Sequence, residues 1–397
     1  MKNTEFDRRQ FIKIAAGSAI VLLGHGGPAL FAKEAQKTSR SHYKVFSKGK
    51  IGNLRIKNRL VKAASATAAT MDDCTFLSGG LEMYRNWSKG GVGLIITGHM
   101  AAEEIPAGTF NHVLTCIYDD KFIPQVHKIA EAVHTADSEC KIIAQISHIG
   151  MRSITHPVAA SSVPWPNIKD QPHPLSLTEA QAIRDRFIAA ARRARQAEFD
   201  GVEIHCAHGY LLNTFLSPYT NNRTDQYGGS LQNRVRIVAE IVDGIKTAVD
   251  PDFVLLIKTN CDDGLGDAGI HAGNFPQLAD ALAKTGIDAL EVSGAKPARD
   301  HIDEPEQQSY FAPYAESLDL AIPVISTGGN KSVEVIEKIC QRGKVHFFGF
   351  ARPLILEPNL PNRWLAMEGD PQCDCISCNK CLTYLFEGNK LVTCQNL

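Results

Sequence analysis

From Tyr43 onward, short runs of apolar and β-branched residues alternate with longer stretches whose apolar positions recur at helical spacing. The runs predict strands at Leu60–Ala64, Gly93–Thr97, Ile142–Ile146, Gly201–His205, Val254–Thr259, Ala289–Ser293, Val324–Thr327 and Val345–Phe350. Between them the periodicity predicts helices, among them Thr178–Ala197, Leu231–Val249 and Asn274–Thr285. In the first of these, Ala180, Ile183, Phe187, Ala190 and Ala191 share one face. Eight buried strands, each followed by a helix or a long loop, predict a (β/α)8 barrel; a doubly wound sheet is the alternative. No internal repeat or low-complexity linker interrupts residues 44–367, which read as one domain. In a barrel the chemistry gathers at the C-terminal strand ends, so the residues after each apolar run are the candidates.

Composition narrows the partners. Of 397 residues, 44% are hydrophobic and 21% charged, as in ordinary globular proteins, and the net charge is −1. Such a balance gives no electrostatic case for binding nucleic acid or an anionic membrane. Residues 1–35 differ from the rest. Arg8 and Arg9 precede Phe11 and Lys13, then a short apolar run, Ile14–Leu23, and small residues near Ala29 and Ala32. Ten apolar residues are too few to span a bilayer, so the segment reads as an export signal of the twin-arginine type. A periplasmic location follows, with no stable membrane span once the signal is removed. That route carries folded proteins with cofactors already loaded.

Five of the eleven cysteines crowd into the tail. Cys375, Cys378 and Cys381 form C-x2-C-x2-C, and Cys394 closes the set after twelve more residues. Thiolates at this spacing converge on one centre, iron–sulfur or zinc. Residues 368–397 are therefore read as a metal-binding segment. Cys373 stands just outside the set, and Cys74, Cys116, Cys140, Cys206, Cys261 and Cys340 are scattered.

The fourth strand leads into Gly201-Val-Glu-Ile-His-Cys-Ala-His-Gly-Tyr210, then Leu211–Pro218 and Asn222–Ser230. His205, His208 and Tyr210 thus gather at one strand end. Two imidazoles can donate hydrogen bonds to a single oxygen, and a phenol can donate a proton. A histidine at a strand end is also often only a satisfied polar group.

Several segments together resemble the old yellow enzyme family of flavin oxidoreductases. They are the string from Gly201 to Arg234, Asn58-Arg59, Gly90–Thr97, Gln145-Ile-Ser-His148, Gly328-Gly329 and Ala351-Arg-Pro353. The resemblance runs from about residue 44 to the C-terminus. The tail, Cys375-Ile-Ser-Cys-Asn-Lys-Cys381 with Cys394, resembles the iron–sulfur branch typified by trimethylamine dehydrogenase and 2,4-dienoyl-CoA reductase. That branch implies one [4Fe–4S] cluster beside FMN.

The resemblance implies that Gly328, Gly329, Ala351 and Arg352 hold the flavin phosphate. Gln145 would bond the pyrimidine edge, Ala64 and Ser65 would lie along the ring, and Lys258 would stabilise the anionic reduced flavin. Ala66 stands where relatives carry cysteine or threonine, so the FMN should be non-covalent. The His205/His208 pair is the arrangement of ene-reductases, with Tyr210 as proton donor; His205 replaces a tyrosine of the amine dehydrogenase. The expected activity is reduction of an activated C=C bond, with hydride from the flavin and electrons delivered through the cluster. The alternatives are an amine dehydrogenase and a non-catalytic redox relay.

No Gly-x-Gly-x-x-Gly follows a strand, and three residues follow Cys394. The expected electron source is therefore a one-electron donor protein or a quinol-linked carrier rather than NADH. An oligomer is compatible with this reading. His148 and Arg152 either touch substrate or flavin or serve structure, and His99 falls beside the flavin edge by position but is given no role. Arg223, Thr224, Asp225 and Tyr227 read as a loop-anchoring network, and Trp87 and Phe215 as core.

Overall fold

A computed structural model of the chain describes residues 39–386 and 391–396, apart from 72, 105–113, 167, 169 and 303. Residues 1–35, which the sequence reading takes as an export signal, lie outside the described residues. Among those described, no helix is long and apolar enough to cross a membrane.

Eight parallel strands close on themselves. They are β1 Leu60–Lys62, β2 Leu94–Ala101, β3 Lys141–Ser147, β4 Gly201–Cys206, β5 Val254–Asn260, β6 Ala289–Ser293, β7 Val324–Thr327 and β8 Phe347–Phe350. Each pairs with the next, and β8 pairs with β1, which makes the (β/α)8 barrel that the pattern predicts. Among the helices outside it are α1 Ser78–Lys89, α2 Ile123–Ala136 and α3 Leu177–Gln196. The last begins in a capping box, where Ser176 and Glu179 satisfy each other's backbone N–H groups.

The strands are buried on both faces, which is why they read as unbroken apolar runs. Leu60, Ile95, Ile142, Val202, Ile257 and Val292 belong to the core that includes the helices. Val61, Leu94, Ile96, Ile143, Val254, Leu256, Ala289, Ile325 and Phe347 form a second cluster inside the barrel. A hairpin, Gly49–Ile51 paired with Leu54–Ile56, adds Ile51 and Ile56 to that cluster at the N-terminal end. One step of two residues up each strand keeps a side chain on the same face. That step leads from Ile143 to Gln145, from Leu256 to Lys258 and from Ala289 to Glu291. The barrel interior is thus an apolar layer below and a polar layer above, at the end where barrel chemistry occurs.

Cys74 and Cys116, 42 residues apart in sequence, form a disulfide that ties the loop after β1 to the segment leaving β2. Trp87 and Phe215 are buried, as the sequence reading expects. Arg223 holds its loop by bonding Asp225 and the carbonyls of Ala160 and Leu175, while the Tyr227 hydroxyl donates to Glu240.

Candidate active site

The polar layer is a chain of partners across four adjacent strands. Gln145 Nε2 on β3 donates to Glu203 Oε2 on β4 at 2.6 Å. Lys258 on β5 donates to Glu291 Oε1 on β6 at 2.8 Å, and both side chains are almost wholly buried. Lys258 is therefore no solvated strand-end lysine. Burial opposes its charge, but Glu291 and Glu203 hold its pKa above the ordinary lysine value. Gln145 Oε1 is buried and has no hydrogen-bond partner among the described residues. A buried amide oxygen without a donor is rare, and here it is an acceptor available to a bound N–H. Ala64 and Ser65 follow β1, where Lys62 Nζ donates to Ser65 Oγ at 2.7 Å. The Lys62 ammonium also lies 4.3 Å from the centre of the Trp87 ring. Burial pulls its pKa down to about 7.

Above this layer His205, His208 and Tyr210 come together as the sequence groups them. Ring centroids are 5.0 Å apart for His205 and His208, and 4.8 Å for His205 and Tyr210. The N–H of Ala207 donates to His205 Nδ1 at 3.2 Å. The proton of the neutral ring is therefore assigned to Nε2. Burial first, then His99, His208 and Lys258, push the His205 pKa far below the ordinary value, so the ring is neutral.

His208 has φ of 62°, a left-handed conformation, and three contacts hold it there. Its N–H donates to Asn260 Oδ1, its Nε2 lies 2.9 Å from Ser293 Oγ, and its carbonyl accepts from Arg152 Nε. The Arg152 guanidinium also lies 5.6 Å from the centre of the Tyr210 ring. Arg152 thus anchors the site, and His148 is engaged elsewhere, 2.5 Å from Glu103. Burial raises the Tyr210 pKa, while Arg152 and Lys258 partly offset that shift.

The sequence reading leaves His99 unassigned and ends the second strand at Thr97. The strand in fact continues to Ala101 through a register shift between Ile96 and His99. That bulge turns His99 into the site, stacked on His205 at 4.9 Å and edge-on to Tyr210 at 4.7 Å. Its pKa falls to about 3 through burial and the nearby cations Lys258 and Arg152. Glu203 and Glu291 are likewise absent from the sequence reading. Their signal was a lone charge inside an apolar strand.

Gly328, Gly329, Ala351 and Arg352 line one small cavity of about 40 Å³ at the ends of β7 and β8. Gly329 has φ of 71°, and a Cβ on either glycine would strike the Tyr310 ring. The glycines are required here by Tyr310 packing as well as by any approach of a ligand. Arg352 Nη1 donates to Asn379 Oδ1 at 2.7 Å, so the guanidinium already reaches the cysteine segment.

Arg352 also lines the neighbouring cavity of about 470 Å³, together with Cys375, Cys378, Cys381 and Cys394. Among the described residues no three Cys, His, Asp or Glu groups close on one ion. A zinc site would need its sulfurs about 2.3 Å from a single point. The Lys380 N–H and the Asn396 amide, 2.9 Å away, both point at Cys378 Sγ and hold its pKa below the ordinary thiol value. Cys373 is outside this cavity: it is buried, packs in the main core, and keeps its proton with a pKa near 12. The segment lies against the loop after β1. Cys381, Leu385 and Val392 cluster with Ala68, and Ala66 packs against them.

Comparison with known proteins fits this geometry. The NADH oxidase of Thermoanaerobacter brockii is 36% identical over 346 residues, which cover 84% of this chain and 52% of that protein. The cinnamate reductase of Clostridium sporogenes is 30% identical over 380 residues, 86% of this chain and 56% of that protein. A solved 2-naphthoyl-CoA reductase shares the fold at 24% identity, with a TM-score of 0.76 over 88% of this chain and 56% of that one. The chain spans about half the length of these curated relatives. The family match itself covers residues 44–367, every strand of the barrel and its polar upper layer included, and the protein is an oxidoreductase belonging to the NADH:flavin oxidoreductase / NADH oxidase family.

Proposed function

We propose that this oxidoreductase reduces an electron-poor C=C bond conjugated to a carbonyl or carboxylate. The observation that carries the reading is the grouping of neutral imidazoles with a phenol whose hydroxyl has no protein partner among the described residues. The orphaned Gln145 Oε1 and the buried Lys258 fit FMN, with Ala64, Ser65, Gly328, Gly329, Ala351 and Arg352 as its other contacts. When bound, FMN supplies the hydride. His205, protonated on Nε2, donates to the substrate oxygen, and His208 stands beside it. A neutral N–H donor is strengthened as negative charge develops on that oxygen. Tyr210 Oη gives the proton to the α-carbon, and Arg152 and Lys258 stabilise the phenolate left behind.

The relatives support this reading at the level of chemistry, since one is named as a cinnamate reductase. The amine-dehydrogenase alternative is the second reading, and a solved 6-hydroxypseudooxynicotine amine oxidase of Pseudomonas geniculata shares the fold at 25% identity with a TM-score of 0.76. Cys375, Cys378, Cys381 and Cys394 would hold a [4Fe–4S] cluster, which supplies single electrons. The cavity of about 470 Å³ that the four cysteines line leaves room for such a cluster. Packing of Ala66 against the segment brings it to the loop that would touch the flavin. We place the protein in the periplasm, with a one-electron carrier protein or quinol-linked carrier as donor. The Cys74–Cys116 disulfide supports an oxidising compartment.

The test is anaerobic. Reduced protein is mixed with enones, acrylates, cinnamates and amines while flavin absorbance is followed. Rapid reoxidation by one of the conjugated alkenes is expected. If amines instead reduce the oxidised protein and no alkene reoxidises the reduced form, the reading is wrong.

A further inference from the structure

The mechanism above uses Lys258 and Gln145 but not the two carboxyl groups to which they are bonded. Glu203 and Glu291 are both wholly buried, and their carboxyl groups lie close enough to interact directly. Glu203 Oε2 accepts from Gln145, and Glu291 Oε1 accepts from Lys258. The two remaining oxygens, Glu203 Oε1 and Glu291 Oε2, have no donor. Neither carboxylate can donate to the other while both are ionised. The Thr327 hydroxyl stands near Glu291 but has no hydrogen-bond partner of its own among the described residues, so both oxygens lack a donor.

We propose that Glu203 and Glu291 share a single proton, so that the floor of the cofactor cavity is a neutral lysine–carboxylate–carboxylic acid triad. Charge counting favours it. Two ionised carboxylates with Lys258 would bury one net negative charge beneath a cofactor that becomes negative on reduction, and Lys62, whose pKa burial pulls down to about 7, offsets it only in part. One shared proton brings the triad to zero. Like charges this close cannot both persist in a dry interior. Burial and the Glu291 charge raise the Glu203 pKa well above the ordinary value, whereas Lys258 holds Glu291 below it. The proton therefore resides chiefly on Glu203. The other groups around the pair are Lys62, His205, Gln145 and Tyr210. Lys62 acts on Glu291 directly as well as on Lys258, Tyr210 acts through Lys258, and His205 is neutral. The inference does not depend on which substrate the pocket takes.

Infrared difference spectroscopy on the purified holoprotein tests it. At neutral pH the wild type should show one deuterium-sensitive band of a buried protonated carboxyl. Both Glu203→Gln and Glu291→Gln should abolish it, because each leaves a single carboxylate beside Lys258. Survival of the band in either variant, or its absence from the wild type, overturns the proposal. The wild type alone gives a second reading if a variant fails to fold. Its band should persist as pH rises well past about 4.3, where an ordinary glutamic acid ionises. A midpoint in that ordinary range overturns the shared proton.

Discussion

Tyr210→Phe isolates one step of the proposed chemistry, because the structure confines what the mutation removes. The Tyr210 ring touches His99, His205 and Arg152, and phenylalanine keeps those contacts. The hydroxyl has no protein hydrogen bond among the described residues, so its loss breaks none of these. Fold, flavin content and flavin reduction should therefore be unchanged. The oxidative half-reaction with an alkene should slow by roughly 10²–10⁴-fold, the usual contribution of a general acid. At about 1.36 kcal/mol per tenfold, that is about 2.7–5.4 kcal/mol of barrier. Single-turnover stopped-flow mixing of reduced enzyme with substrate measures it directly.

The pH profile adds a sign. A phenol with a raised pKa is protonated below that pKa and loses its proton as pH climbs through it. Wild-type reoxidation should hold level through neutral pH and fall only at alkaline pH, and the variant should lose that alkaline limb. An equal loss in both half-reactions, or an unchanged oxidative rate, would refute the assignment and leave water or His148 as the proton source.

The remaining expectations can be checked on the same preparations. Acid precipitation should release all the flavin, because Ala66 offers no sulfur for a covalent link, and anaerobic protein should carry four irons per chain as implied by a [4Fe–4S] cluster; zinc in their place would end the cluster reading. His205→Ala with His208→Ala should abolish the charge-transfer band of a bound phenolate, and a full-strength band would make both histidines structural. Cys74→Ser with Cys116→Ser removes a link across 42 residues, which loop entropy values at about 4 kcal/mol, read as a lowered denaturation midpoint against oxidised wild type. Reduced methyl viologen should reduce the flavin faster than NADH does, and Cys378→Ser should slow the viologen reaction; rapid saturable reduction by NADH would overturn the donor assignment.

How much of this was legible in the sequence follows from what each signal requires. All eight strands were readable because strands buried on both faces are contiguous apolar runs. The same property hid Glu203 and Glu291. When both faces are apolar, alternation does not reveal which side chains point inward, so a lone glutamate carries no direction. The position of His99 beside the site was legible, but its contacts were hidden by a bulge, which changes the parity on which such a reading depends. The disulfide was invisible because connectivity among scattered cysteines cannot be deduced from spacing. Arg352 was placed by its neighbours Ala351 and Pro353. Its bond to Asn379 joins residues 27 apart, and no local motif carries that information.

The legible and the hidden parts meet at the loop after β1. Val392 of the tail donates its N–H to the carbonyl of Thr67, and Ala66 and Ala68 pack against Cys381, Leu385 and Val392. On the other side of that loop, Ser65 Oγ accepts from Lys62, and the Lys62 pKa is lowered by burial and by Lys258. One short segment therefore contacts the cysteine cavity directly and the polar layer through Lys62. A small residue at position 66 follows from this packing as well as from flavin chemistry. A cysteine there would have to fit against Cys381 and Leu385, so Ala66→Cys tests both constraints at once. If flavin chemistry alone set the residue, the variant should fold with wild-type stability. If the packing sets it, the denaturation midpoint should fall by the equivalent of about 1–3 kcal/mol for an overpacked contact, before any cofactor is considered.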